Sequence, residues 1–173
     1  GYWTFNGPNT ILNATTTDIS GNINNGTLGS TVSADTNDPT PAAGISGQAL
    51  SFDGTDDKIT VPDKDSLDIV SALTIEAWIK FNDTSNYRSI IGKNNTGSGY
   101  DEPYHFRTEI TTGKLFGRIG DGVGSNDIFG NTNVVTDTWH HVVFAYDASY
   151  LYLYVDGVSD ATPIAKTRTP IIN

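Results

Sequence analysis

The sequence predicts an all-β fold, a single sandwich or jelly roll of two antiparallel sheets over residues 1–173. Strong helix formers are scarce, since the chain holds three Glu and no Met, whereas 23 Thr and 10% aromatic residues favour pleated sheet. From Leu73 to Phe81, apolar side chains alternate with the others, which is typical of a strand with one buried face. Several short strands on one core indicate two packed sheets.

The remaining elements follow from weaker alternation, from turn residues and, at Trp139 to Tyr146 and Tyr150 to Val155, from runs that are apolar or aromatic on both faces. Nine strands are predicted in chain order: Tyr2 to Phe5, Ala49 to Asp53, Lys58 to Val61, Leu73 to Phe81, Ser89 to Gly92, Tyr104 to Ile110, Leu115 to Ile119, Trp139 to Tyr146 and Tyr150 to Val155. A helical turn is predicted from Lys64 to Ile69 and a tight hairpin at Asp156-Gly157, where both central positions need positive φ. The connections are predicted at Thr15 to Gly29, Asn82 to Arg88, Asn94 to Asp101 and Asp121 to Asn133.

The charge and composition of the chain exclude several classes of function. The net charge is -10, from 20 acidic and 10 basic side chains, so the Lys and Arg clusters that bind nucleic acid are missing. Without cysteine, the chain has no disulfide, no thiolate metal site and no cysteine nucleophile. No apolar run approaches the length that spans a bilayer. The carboxylates remain available for hard cations such as calcium.

The start of the chain and its sequons bear on where the protein acts. Gly1 is the first residue, which predicts a processed N-terminus, either a removed signal peptide or the remnant of a tag. Four Asn-x-Ser/Thr sequons, at Asn13, Asn25, Asn82 and Asn94, are candidate glycosylation sites and favour secretion. A chain so rich in Asn and Thr also forms sequons by chance.

Several motifs occur in the order typical of one family. They are Ala49 to Gly54, Lys58 to Pro62, Leu73 to Lys80, Trp139 to Val143 and Leu153 to Gly157, preceded by Tyr2 to Phe5 and Asp18 to Leu28. With them the chain resembles the laminin G-like, concanavalin A-like jelly-roll superfamily over nearly its whole length. The resemblance implies a non-catalytic extracellular or cell-surface module for adhesion or for carbohydrate or matrix binding, with a glycan or surface protein as partner.

The resemblance also implies closing strands that this chain does not supply. Family members continue past the Tyr-Val-Asp-Gly hairpin, whereas here sixteen residues follow Gly157. The alternative function is therefore a structural subunit of an extracellular filament or surface assembly, in which identical subunits exchange strands. The open edge would hold Tyr2, Trp3 and Phe5, and the donated segment would include Ile171 and Ile172. A chain that is cut short explains the same feature.

The loop from Asp18 to Gly26 is the first candidate metal site. It places the carboxylate of Asp18 beside the amide oxygens of Asn22 and Asn25, and Gly21 lets the backbone bend. In the family a similar loop contributes to a structural calcium site, which implies calcium as a structural cofactor here. The alternative is an Asx turn, in which these side chains bond only their own backbone.

Two further groups of ionisable residues favour structural roles. Asp53, Asp56 and Asp57 form a second acidic group, for which a hairpin turn at Asp53-Gly54 is the preferred interpretation. His140 and His141 are neighbours on one strand, so they project to opposite faces and cannot chelate one ion together.

Catalysis has little support in the sequence. The jelly-roll glucanases carry alternating acids along one strand, whereas Glu76, Glu102 and Glu109 do not lie in such a run. The prediction is that the chain is not an enzyme. The aromatic residues Tyr87, Tyr100, Tyr104 and Phe129 in the middle of the chain suit sugar stacking or protein contacts, or they cap the open end of the sandwich.

Overall fold

The computed structural model describes residues 1–11, 14–93 and 102–172, and these form two compact units, Gly1–Leu67 and Asp68–Asn173. The regular structure of both units is mostly strand, and every strand pair in the described residues is antiparallel. The predicted all-β class is therefore confirmed. The prediction of one domain over residues 1–173 stays a prediction.

The first unit holds a small sheet and a separate hairpin. Its strands are β1 (Thr10–Ile11), β2 (Thr15–Thr16), β3 (Gly26–Leu28), β4 (Thr40–Ala43), β5 (Gln48–Ser51) and β6 (Ile59–Thr60). The order in the sheet is β1-β2-β3-β6, and β4 pairs with β5. Short 3₁₀ turns lie at Gly7–Asn9 and Asp65–Leu67, the second within the predicted helical turn.

The second unit is a sandwich of two sheets. Its strands are β7 (Leu73–Ile79), β8 (Arg88–Lys93), β9 (Tyr104–Thr108), β10 (Lys114–Gly120), β11 (Ser125–Asn133), β12 (His140–Tyr146), β13 (Tyr150–Val155), β14 (Val158–Ser159) and β15 (Ile164–Ala165). One sheet has the order β11-β10-β9-β8, and the other has β14-β13-β12-β7 with β15 beside β13.

The inner faces of these two sheets share one apolar core. Ile75 and Ile79 of β7 are buried with side chains of β9 to β13, and Leu73 and Phe81 pack against the cluster, as the alternation predicts. Phe106 on one sheet meets Phe144 on the other at 5.8 Å between ring centroids. A Cβ at Gly117 would overlap the Phe144 ring, so only glycine fits there. This core fixes which side chains face outward.

The structure corrects the sequence interpretation at β11. Residues 121–133 were expected to be a connection, because Asn, Asp and Gly dominate them, yet Ser125–Asn133 forms a nine-residue strand paired with β10. Only Ile128 enters the core, while Gly130 leaves room for the Asp160 carboxylate, which accepts hydrogen bonds from Asn131 N and Thr132 N. Pairing with β10 thus overrides a composition typical of turns.

A second correction concerns residues 2–5, which form no strand. Tyr2 N donates to Asp18 Oδ1 at 2.8 Å, and Tyr2 O accepts from Ile19 N at 2.9 Å. Trp3 Nε1 donates to Asn24 O, and Phe5 has a φ of 56°, which no strand residue adopts. These residues therefore bond the Asp18 loop instead of a neighbouring strand.

The hairpin interpretation of Asp53-Gly54 is also wrong. β5 pairs with β4, whereas β6 pairs with β3, so the segment between them joins two different sheets. The hairpin at Asp156-Gly157 is confirmed, with φ of 51° and 80° at the two positions. Within the described ranges, no helix is long and apolar enough to cross a membrane.

Candidate functional site

The outer face of the β8–β11 sheet carries two rows of side chains that run across the strands. Antiparallel register places Phe116 of β10 between Arg107 of β9 and Phe129 of β11. The same register places Arg118 between His105 and Asp127. Neighbouring strands lie about 4.8 Å apart, so residues of one row are in reach of each other.

The first row, the aromatic–arginine row, consists of Tyr87, Arg107, Phe116 and Phe129. The Arg107 guanidinium lies 4.1 Å from the Tyr87 ring centroid and 4.3 Å from that of Phe116, so it is held between two rings. Phe116 also meets Phe129 edge to face at 5.1 Å. Phe116 is only 1% exposed, whereas Tyr87 is 49% and Phe129 is 56% exposed. The row therefore presents two accessible rings, Tyr87 and Phe129. Between them lies the buried Phe116 ring, which the Arg107 guanidinium covers.

The second row is built on Arg118, which binds Asp127 with two hydrogen bonds. Nε donates to Oδ1 at 2.8 Å, and a terminal nitrogen donates to Oδ2 at 2.7 Å. Burial raises the pKa of Asp127, but hydrogen bonds from Arg118 and Ser125 outweigh it, so the pKa lies below its ordinary value. Arg118 also lies 3.6 Å from Glu102 and 5.1 Å from the Phe116 ring, which links the two rows.

His105 completes the second row and is held neutral by its surroundings. Its Nδ1 lies 3.2 Å from Glu102 Oε1, and its Nε2 shares a hydrogen bond of 3.1 Å with Ser89 Oγ. Burial lowers the pKa of His105 below its usual 6.5, and the neighbouring Glu102 opposes this only in part. A neutral imidazole can donate from one nitrogen and accept at the other.

The carboxylates of this face are paired with arginine side chains. Glu102 and Asp127 pair with Arg118, and Glu109 pairs with Arg107 at 2.9 Å. The lowered pKa of Asp127 keeps this carboxylate charged, whereas a general acid needs a proton at neutral pH. The arrangement can stack a ring and hydrogen-bond polar groups.

Sequence reasoning found only part of this site. Tyr87 and Phe129 were singled out, but Tyr104, expected to suit sugar stacking or protein contacts, is a core residue of β9, and Tyr100 lies outside the described residues. Arg107, Arg118 and Asp127 were missed. The signal was present in the alternation of His105 and Arg107 with apolar Tyr104 and Phe106, which marks a polar outer face.

The three predicted calcium ligands have different hydrogen-bond partners within the Asp18 loop. Asp18 Oδ1 accepts from Tyr2 N and Ser20 N, and Oδ2 accepts from Asn24 N at 3.0 Å. Asn25 Oδ1 accepts from Asp18 N, and the Asn22 amide nitrogen donates to Ser20 Oγ at 3.2 Å.

These hydrogen bonds also set the charge of the loop. Burial raises the pKa of Asp18, but the bonds from Ser20, Tyr2 and Asn24 together lower it far below its ordinary value. The carboxylate is thus satisfied by backbone N–H groups, which favours the Asx-turn alternative. Calcium at this loop stays a prediction.

The other predicted residues have local partners. The carboxylates of Asp53, Asp56 and Asp57 lie within 4.8 Å of one another, and Asp53 Oδ1 accepts from Thr55 N at 2.7 Å. His140 Nδ1 lies 2.8 Å from Asp156 Oδ2, whereas the His141 ring lies 5.3 Å from that of Trp78. The histidines therefore serve different contacts.

The four sequons and the proposed strand-exchange segment remain predictions. Asn25 and Asn82 are exposed, while Asn13 and Asn94 lie outside the described residues. Ile172 is exposed, and Ile171 N donates to Gly120 O at 3.2 Å. Residues 166–172 contain no strand.

Comparison with known proteins places this geometry in context. A family sequence model described as "Concanavalin A-like lectin/glucanases superfamily" matches residues 53–173. A comparison with curated protein sequences finds no match.

Solved structures give the same fold. Domains LG4-5 of the mouse laminin α1 chain align with a TM-score of 0.50 and 15% identity over 63% of this chain and 28% of that one. An S-layer domain-containing protein from Clostridium thermocellum aligns with a TM-score of 0.57 and 22% identity over 92% of this chain and 70% of that one. This chain therefore spans much less than the whole of the laminin structure. Together with the family model, the laminin structure confirms the predicted laminin G-like fold.

Proposed function

Because the chain belongs to the concanavalin A-like lectin/glucanases superfamily, we propose that it is a non-catalytic surface module that binds a neutral glycan. The binding surface is the outer face of the β8–β11 sheet, with the aromatic–arginine row at its centre. The observation that carries this proposal is the arrangement of Tyr87 and Phe129 as exposed rings on either side of the buried Arg107–Phe116 contact.

The row suits a sugar because it combines apolar faces with fixed polar groups. Exposed rings stack on the apolar faces of sugar rings, while hydrogen-bonding groups beside them fix orientation. His105, Asp127 and Glu102 supply such groups on the same face. Their positions are set by ion pairs and by sheet register, so little order has to be gained on binding.

The charge of the face favours a neutral ligand. Arg107 and Arg118 are balanced by Glu109, Asp127 and Glu102, and the whole chain carries -10. An acidic glycan would be repelled by the long-range field and would find no uncompensated arginine on this face. A neutral oligosaccharide is not repelled by this field and does not need an uncompensated arginine.

The same pairing supports a binding role over hydrolysis. Glycoside hydrolysis needs one carboxylic acid that keeps its proton, in addition to a second carboxylate. On this face Asp127 has a lowered pKa, and Glu102 and Glu109 are paired with arginine. We therefore assign the face to recognition.

The proposed location is outside the cell or at its surface. The solved relatives are named as a laminin chain and as an S-layer domain-containing protein, which supports this location by analogy of fold. The exposed sequon residues Asn25 and Asn82 are compatible with it. A surface protein remains the other partner that the fold would suit.

A glycan array tests the proposal directly. The wild-type chain should bind a subset of neutral oligosaccharides, and Phe129→Ala and Tyr87→Ala should each weaken binding, since stacked rings are lost. Tyr150→Ala is the matched control, because Tyr150 is 46% exposed on the outer face of the other sheet. Equal loss in the control, or binding that survives both ring substitutions, contradicts the proposal.

The alternative function, a subunit that exchanges strands with identical neighbours, has weaker support. The backbone N–H and C=O of Tyr2 already bond Asp18 and Ile19, so this residue does not offer a free pair to an incoming strand. Strand exchange between identical subunits is the second proposal, and the association state of the protein tests it.

A further inference from the structure

Two carboxylates of the first unit meet beside Gly29, just after β3. Asp38 is buried, with 8% of its surface exposed, and Asp35 is half-buried. A Cβ at Gly29 would overlap Asp38 Oδ1 and would lie 2.8 Å from Asp35 Oδ1. Both oxygens therefore face the same small space, which exists because Gly29 has no side chain.

The Asp38 carboxylate is only half satisfied by the protein. Oδ2 accepts from Asp35 N at 2.9 Å, but the buried Oδ1 has no hydrogen-bond partner. Within the described ranges, neither Asp35 nor Asp38 forms an ion pair with Lys or Arg. A buried carboxylate oxygen without donor or cation is costly, and a second carboxylate beside it adds repulsion.

The backbone holds this pair in place. Gly29 N donates to Lys58 O at 2.8 Å, and Lys58 N donates to Asn37 O at 3.2 Å. Asp35 Oδ1 accepts from Asn37 N at 2.8 Å, which closes the turn that carries both carboxylates. Gly29 has a φ of +66°, a conformation that glycine adopts without strain. The two oxygens are thus positioned before any ligand arrives.

The chemistry of the space points to a hard cation. The side-chain atoms at this space are the carboxylate oxygens of Asp35 and Asp38. Residues 1–67 contain no His and no Cys but eight Asp and two Lys. Calcium accepts carboxylate and backbone oxygens in irregular geometry, whereas magnesium demands a near-octahedral shell. We propose that Asp35 and Asp38 bind a calcium ion beside Gly29.

This site is separate from the features already described. Asp35 and Asp38 lie outside residues 53–173, which the family model matches, and outside the Asp18 loop. Their ion would fasten the turn at Asp35–Asp38 to the end of β3 and neutralise the only buried carboxylate oxygen without a partner among the described residues. The role is structural and does not depend on glycan binding.

Calorimetric titration of calcium chloride into chelator-treated protein tests the site. The wild type should bind one ion here with a dissociation constant of about 10⁻⁴ M or weaker, because two carboxylates supply little charge. Asp38→Asn should weaken this binding by about tenfold or more, because ligand charge sets affinity. Asp35→Asn should weaken calcium binding to a similar extent. Because Asp35 is half-buried, this variant tests the site if Asp38→Asn does not fold. Asp53→Asn and Asp18→Asn are matched controls that should keep it.

Each outcome decides the proposal. Wild-type protein that binds no calcium overturns it, as does binding that survives both Asp35→Asn and Asp38→Asn. Binding that is lost only in Asp18→Asn or Asp53→Asn moves the ion to those residues and overturns it too. Magnesium chloride that binds as tightly as calcium chloride overturns the choice of ion.

Discussion

The Arg107 guanidinium lies 4.3 Å from the centroid of the Phe116 ring, and Phe116 is buried although it points away from the apolar core. The same guanidinium lies 4.1 Å from the centroid of the Tyr87 ring. A planar cation between two rings covers apolar surface and keeps its charge near water. This contact joins the stability of the outer face to its proposed function.

Arg107→Ala should therefore destabilise the protein. The loss of two cation–π contacts and of cover over Phe116 predicts a fall of about 2 kcal/mol in the free energy of unfolding, measured with urea. Arg107→Lys should restore only part of it, since lysine lacks the planar group. Arg168→Ala is the control: Arg168 forms a partly exposed pair with Asp121 and should change stability by about 1 kcal/mol or less. Equal effects at both arginines would contradict the stacking account.

The core between the two sheets gives a second prediction. Ile75→Asp buries an unpaired carboxylate and should lower the free energy of unfolding by about 3 kcal/mol or more, seen as a lower melting temperature. Glu76→Ala, the next residue on the exposed face of β7, should change it by less than about 0.5 kcal/mol. An unchanged melting temperature in Ile75→Asp would contradict the burial of Ile75 between the two sheets.

His105 gives a prediction about pH. Its pKa is lowered by burial, so the unfolded chain takes up a proton near pH 6.5 while the folded chain does not. The unfolded state then binds more protons, and stability should fall as pH drops below 6.5. Urea unfolding at pH 7.5 and 5.5 should show this fall, and His105→Gln should reduce it. The same fall in His105→Gln as in the wild type would contradict this prediction.

Asp18 separates the two interpretations of its loop. Asp18→Ala removes the acceptor of three backbone N–H groups and should cost about 2 kcal/mol of stability, since the buried Asn24 N and the part-buried Tyr2 N and Ser20 N lose their partner. If hydrogen bonding is its whole role, calcium and chelator give the same loss in melting temperature. A loss that appears only with calcium would instead support the predicted calcium site.

Association state tests the strand-exchange alternative. If residues 2–5 and 171–172 exchange between neighbours, sedimentation at increasing protein concentration should reveal oligomers, and Ile171→Asp with Ile172→Asp should abolish them. The bonds of Tyr2 to Asp18 and Ile19 predict a monomer throughout. Concentration-dependent oligomers that the paired substitutions remove would reverse this conclusion.

The sequence predicted the strands that have an apolar pattern of their own. It did not predict strands that form because they pair with a neighbouring strand. β7 follows from apolar alternation, β12 and β13 follow from runs that are apolar or aromatic on both faces, and their inner residues form part of the core. β11 escaped because one isoleucine among Asn, Asp and Gly gives no periodic signal, although its pairing with β10 makes it a strand. Without β11 and its register, the neighbourhood of Arg118 and Asp127 could not be predicted. The Asp35–Asp38 pair depends on how Gly29 folds back, which no local pattern shows.

Amide chemical-shift mapping during titration with the neutral oligosaccharide that binds best on the array tests the central claim most directly. The account predicts that shifts concentrate on residues 105–107, 116–118 and 127–129, and that Phe129→Ala weakens the titration. Shifts that concentrate instead on Trp78 and residues 150–154, the aromatic outer face of the other sheet, would contradict it.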